Sequence, residues 1–107
     1  MMTGGVLNAI NYRLSAQEVA FILDHGEAKA LIVDKEFGAL AREALKLCKA
    51  KPFIIGIDDP EFDGGELIGE MTYEDFLKTG DPDFEWSLPA DEWQAVALNY
   101  TSGTTGN

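Results

Sequence analysis

The sequence predicts an α/β protein, mainly a parallel sheet with helices on both faces. Three observations carry this. The runs Lys29 to Asp34 and Phe53 to Ile57 are continuously apolar in their interiors, as strands covered on both faces are, and do not alternate as half-exposed strands do. Segments with helical spacing precede and separate them, giving the order strand, helix, strand, helix, strand that right-handed crossovers connect. Hydrophobic residues make up 46% of the 107, with no internal repeat or low-complexity tract, so a single core is possible and disorder is not the default.

The elements follow in order. Val6 to Ile10 is short, apolar and interrupted by Asn8, which suggests a strand or strand edge leading to a turn at Asn11 to Arg13. Ser15 with Glu18 three residues later is a capping box, and Leu14 with Val19 supplies the hydrophobic staple. The helix they start carries Val19, Ile22 and Leu23 on its apolar face, and Gly26 suits the C′ position. After the strand at 29–34, residues 36 to 50 repeat at helical spacing up to Pro52, with Phe37, Leu40, Ala41, Ala44, Leu45 and Cys48 on one face. Residues 58 to 71 are acidic and contain glycine, hence a loop. Thr72 then caps a short helix that carries Phe76 and Leu77 and ends near Gly80. Pro82 and Pro89 bracket an extended connection, which Trp86 and Trp93 are expected to anchor on the sheet. Ala95 to Leu98 forms a last apolar strand.

Charge and cysteine content narrow the function. The formal net charge is −11, and it is uneven: residues 1 to 51 carry seven basic and six acidic side chains, residues 52 to 107 one basic and thirteen acidic. Such a surface repels nucleic acid and anionic membrane, and its acidic half reads as a solvated surface. The single cysteine, Cys48, excludes an intramolecular disulfide and a cysteine-based zinc site, and its helical face makes it a buried thiol. With His25 the only histidine, no histidine pair can hold a metal and no Ser-His-Asp triad is indicated; near a helix C-terminus its cationic form is favoured by the helix dipole. Asn8, Asn11 and Asn99 read as turn-forming or backbone-pairing residues. No apolar run approaches the ~20 residues of a membrane span and no leader precedes Thr3, so the expectation is no integral membrane segment and a cytoplasmic protein.

The most informative segment is Tyr100-Thr101-Ser102-Gly103-Thr104-Thr105-Gly106, directly after the apolar run 95–98. Its glycines let the backbone turn tightly, so that successive N–H groups converge on an anion, and its hydroxyls add donors. A Walker-type loop needs two glycines five positions apart and then lysine; Gly103 and Gly106 are too close, and no glycine stands five residues before either. Asp59, Glu61, Asp63, Gly64 and Glu70 fall at positions 1, 3, 5, 6 and 12 of an EF-hand frame, but a strand precedes them and Glu66 replaces the usual apolar residue, which leaves an acidic loop.

Residues 100 to 106 resemble the phosphate loop of the adenylate-forming (AMP-binding) superfamily, which reads Tyr-Thr-Ser-Gly-Thr-Thr-Gly, a variable residue, Pro and Lys. Gly5 to Leu14, Ser15 to Glu18 and Phe21 to Gly26 look like the acyl-CoA synthetase branch. The resemblance implies that residues 1–107 are a partial N-terminal, AMP-binding domain without the mobile C-terminal domain, and that the parent is an ATP-dependent acyl-CoA synthetase. Such an enzyme joins a carboxylic acid to ATP as an acyl-adenylate, releases pyrophosphate and passes the acyl group to coenzyme A. It further implies that Thr101, Ser102, Gly103, Thr104, Thr105 and Gly106 hold the β- and γ-phosphates of ATP, that Mg²⁺ takes part, and that no catalytic residue or metal ligand lies within this stretch. The alternative is a small acidic α/β nucleotide- or phosphate-binding module without catalysis.

Overall fold

A computed structural model describes residues 4–100 except Pro89 and Glu92. Within it, Ser15 starts the first helix as its spacing predicts: the Ser15 hydroxyl accepts the N–H of Glu18, and Glu18 Oε1 accepts the N–H of Ser15, each at 3.2 Å. The helix, α1, spans Ala16–His25. Strand β1 (Ala30–Asp34) follows, then a 3₁₀ turn (Lys35–Phe37) that runs into α2 (Gly38–Leu47), strand β2 (Phe53–Ile57), a two-residue strand β3 (Met71–Thr72) and α3 (Tyr73–Lys78). The sheet order is β1-β2-β3 and both pairings are parallel, Ala30 to Asp34 lying opposite Phe53 to Ile57 and Ile55 opposite Met71. The α/β class and the parallel sheet are therefore as the sequence predicts.

The core forms where α1 crosses α2 over the sheet. Val19, Ala20 and Leu23 of α1 meet Ala44 of α2 and Cys48 just beyond it, with Ile10, Leu14, Leu31 and Leu45 packed around them. Cys48 is a buried, free thiol. The central strand β2 buries Ile54 and Ile55, whereas Ile32 on the edge strand β1 is 52% exposed. The Thr72 hydroxyl accepts the N–H of Asp75 at 3.1 Å and caps α3 as predicted.

Three expectations need correction. The end of α1 is shifted by one residue: Gly26 is the C-cap with right-handed φ −81°, and the left-handed position belongs to Glu27 at φ 53°. Glu27 N–H donates to Asp24 O (3.2 Å) and Ala28 N–H to Leu23 O (3.0 Å), a Schellman closure built without glycine at its usual place. Second, Trp86 and Trp93 are 50% and 88% exposed and do not anchor the connection. Its backbone is instead held by local turns, in which Asp81 Oδ1 accepts Asp83 N–H and Asp91 Oδ1 accepts Trp93 N–H, leaving the indoles outside.

Third, the segment read as an acidic loop over 58–71 is largely exposed as expected but ends one residue early, in β3 at Met71, and two of its glutamates bond to the fold. Glu70 Oε2 accepts the N–H of Ile54 at 2.6 Å, supplying the acceptor that a longer neighbouring strand would have offered. Glu66 donates its N–H to Lys35 O at 2.9 Å, pairs its carboxylate with Arg42 of α2, and rests its carbonyl where Gly38 lacks a side chain. A Cβ at position 38 would overlap that carbonyl, which belongs to backbone and cannot rotate away. Gly38→Ala is therefore expected to destabilise the protein by about 1 to 3 kcal/mol despite alanine's better helix propensity; chemical denaturation of the complete protein measures this, and an unchanged midpoint contradicts it.

Candidate functional site

All six residues assigned to the phosphates, Thr101 to Gly106, lie outside the described residues. What the structure gives is the path that leads to them. The expected strands at 6–10 and 95–98 reduce to one parallel bridge between Leu7 and Ala97. Leu7 N–H donates to Val96 O at 3.0 Å and Leu98 N–H donates to Leu7 O at 2.8 Å, so the chain before Tyr100 is tied to the chain before α1.

Three consecutive residues at the end of α1 receive this path and the rest of the fold. Asp24 accepts the N–H groups of Lys49 (2.9 and 3.0 Å, one to each carboxylate oxygen) and Ala50 (2.7 Å), fixing the α2–β2 connection. His25 Nδ1 lies 2.7 Å from the Tyr100 hydroxyl. Gly26 stands where a Cβ would come within 3.0 Å of Ile22 O, 3.2 Å of Asn8 Nδ2 and 3.4 Å of Leu98 Cδ2. Asn8 and Leu98, on either side of the Leu7–Ala97 bridge, thus lie beside Gly26, and Glu27 carries the left-handed turn.

The sequence reading assigned His25 to the helix dipole, and it missed the pairing with Tyr100. A lone histidine four residues after Phe21 is a weak signal, and nothing in sequence foretells a contact across 75 positions. Asn11 behaves as expected, its Oδ1 accepting Arg13 N–H at 2.9 Å in a turn.

Other concavities offer less chemistry. A depression of about 240 Å³ beside the lead-in is lined by Gly4, Gly5, Ser87, Leu88, Gln94 and Val96, among others, without a titratable side chain. Among the described residues no group of three or more His, Cys, Asp or Glu side chains could hold a metal ion. No described helix is long and apolar enough to cross a membrane.

The family model described as AMP-binding enzyme matches residues 1–107. The chain is 47% identical to an acetate/butyrate–CoA ligase of Arabidopsis thaliana named as peroxisomal, over 99% of this chain and 21% of that protein. It is 43% identical to an acetate–CoA ligase of Humulus lupulus, over 99% and 21% of the two chains. A 2-methylpropanoate–CoA ligase of Humulus lupulus is 38% identical, with 99% and 20% covered. The chain thus spans about a fifth of the length of these relatives. No solved structure matches it.

The Asp24 carboxyl is held below its ordinary value by the backbone N–H of Lys49, then by that of Ala50, with the Lys49 and Lys51 charges adding to the effect. A depressed carboxylate stabilises the fold fully above its unfolded pKa of about 3.9, and the contribution is lost as pH falls through the lower folded value. The stability difference between the protein and its Asp24→Ala variant is thus expected to be constant above about pH 5 and to shrink below about pH 4. Denaturation midpoints of both across that range check it; a difference independent of pH contradicts it.

Proposed function

The chain belongs to the AMP-binding enzyme family, and from that premise we propose that the complete protein is an ATP-dependent acyl-CoA ligase whose pyrophosphate-holding loop is Thr101 to Gly106. The observation that carries the reading is the seven-residue match Tyr100 to Gly106 at the end of a lead-in anchored to α1. Charge distribution supports it. Although the second half of the chain is strongly acidic, no charged side chain lies between Trp93 and Asn107, so the lead-in and the loop offer backbone N–H groups and hydroxyls without a carboxylate among them to repel a triphosphate.

In the proposed reaction a carboxylate oxygen of the acid attacks the α-phosphorus of ATP, the bond to the β-phosphate oxygen breaks, and pyrophosphate leaves. The thiolate sulfur of coenzyme A then attacks the acyl carbon, and AMP departs. Acid and ATP are both anionic, so the first step needs charge neutralisation and positioning more than a strong nucleophile. The Ser102, Thr104 and Thr105 hydroxyls, with the loop N–H groups, are assigned to the β- and γ-phosphates, where negative charge accumulates as pyrophosphate departs. The names of the three relatives point to a short-chain carboxylic acid as substrate. Residues 1–107 are proposed to be part of the nucleotide-binding domain, with the acyl pocket and the C-terminal domain elsewhere in the complete protein. The proposed compartment is the cytoplasm; the Arabidopsis relative is, by its name, peroxisomal.

Thr104→Val in the complete enzyme tests the assignment. Valine keeps the β-branched shape and removes one donor to a charged group, a loss on the order of 1.5 to 3 kcal/mol, or roughly ten- to a hundredfold in adenylation rate. Carboxylate-dependent exchange of pyrophosphate into ATP is expected to fall by that factor, while thioester formation from pre-formed acyl-adenylate stays near wild type. Equal damage to both half-reactions would overturn the pyrophosphate-holding role.

A further inference from the structure

Phe21, His25 and Tyr100 form an aromatic cluster that core packing does not account for. Phe21 is 59% exposed, yet it stacks on the His25 ring at 5.3 Å and 21° and meets Tyr100 edge-on at 6.4 Å and 82°. The i, i+4 spacing places Phe21 and His25 one turn apart on α1, so the phenyl ring limits the imidazole's rotation. His25 in turn meets Tyr100 edge to face at 5.7 Å and 81°, with Nδ1 2.7 Å from the hydroxyl. The contact is therefore directional twice over: the hydrogen bond sets where the hydroxyl sits, and the ring geometry sets the plane of the tyrosine.

The residues on either side of His25 are tied to other parts of the fold. One residue before His25, Asp24 ties α1 to Lys49 and Ala50, and one residue after it, Gly26 admits Asn8 and Leu98. Tyr100 is bonded to Thr101, so a contact that holds its side chain restricts where the chain enters the loop.

We propose that His25 is a positioning residue for the phosphate loop: steered by Phe21, its imidazole latches the Tyr100 hydroxyl and orients the entry to Thr101–Gly106. This rests on the phosphate-loop reading given above. The proposed latch acts through Tyr100, by restricting how the chain enters the loop, and small displacements of groups that position a substrate are costly in rate and affinity.

The complete enzyme carries the test, with His25→Phe, Tyr100→Phe, their combination, and His25→Asn. Phenylalanine keeps a ring on Phe21 and removes the nitrogen; asparagine places a polar atom near the position of Nδ1. His25→Phe and Tyr100→Phe are each expected to raise KM for ATP about fivefold, the effect of losing one hydrogen bond, without raising KM for the acid or for coenzyme A. The double variant should be no worse than either single one, and His25→Asn should recover most of the loss. Unchanged KM for ATP in both single variants, additive losses in the double variant, or an equal rise in all three KM values would overturn the proposal. Proteolytic cleavage between Thr101 and Gly106 gives a readout that needs no catalysis: the single variants should be cut faster than wild type and the double variant no faster still. If the wild-type enzyme shows no carboxylate-dependent pyrophosphate exchange, the ligase reading fails and cleavage alone decides the latch, equal rates in wild type and both single variants overturning it.

Discussion

The Asp24 carboxylate, accepting backbone N–H groups from Lys49 and Ala50, fixes where the last turn of α1 sits, and the contacts that lead toward Tyr100 start from that placement. Two free backbone donors at the entrance to β2 need an acceptor, and a carboxylate is the strongest one a side chain supplies. With the helix end so held, Gly26 can admit Asn8 and Leu98, and the Leu7–Ala97 bridge lies against it. His25, between them, reaches Tyr100. Three adjacent residues thereby join the α2–β2 connection, the segment before α1 and the lead-in to the loop.

This arrangement separates two tasks that the sequence mixes. The hydrophobic core between α1, α2 and β2 provides stability, and none of its buried residues is polar or charged. The proposed chemistry of phosphate binding falls to a hydroxyl- and glycine-rich segment with no charge of its own, and the residues that lead into it are held by contacts at the rim of that core. A phosphate-binding loop has to be given an origin and a direction before its N–H groups can converge on an anion. Membership of the AMP-binding enzyme family gives the segment its proposed partner, and the end of α1 gives it its origin.

Much of the fold was legible because its signals are local. The Ser15–Glu18 box, the Thr72 cap and the unbroken run Phe53–Ile57 each state their structure within a few residues, and each appears where expected. Strand β3 was hidden because two residues have no period to read, and because the pairing just before it, at Ile54, is made by the side chain of Glu70. Gly26 misled for a physical reason: glycine serves both left-handed backbone and close approach, and only the three-dimensional neighbours distinguish the uses. Trp86 and Trp93 misled because aromatic mass implies burial only when a surface is present to receive it, and local aspartate turns hold that stretch instead. Of the candidate site, the loop itself was legible as a motif; the His25–Tyr100 anchor, made across the whole chain, was not.

Hydrogen–deuterium exchange over the peptide that contains Thr101 to Gly106, in the complete protein, tests most directly that an anchored segment delivers a phosphate-binding loop. ATP and pyrophosphate are each expected to slow exchange of these amides, and adenosine is expected to leave them unchanged, because protection comes from the phosphates and not from the base. Protection by adenosine equal to that by ATP, or none by either ATP or pyrophosphate at saturating concentration, would contradict it.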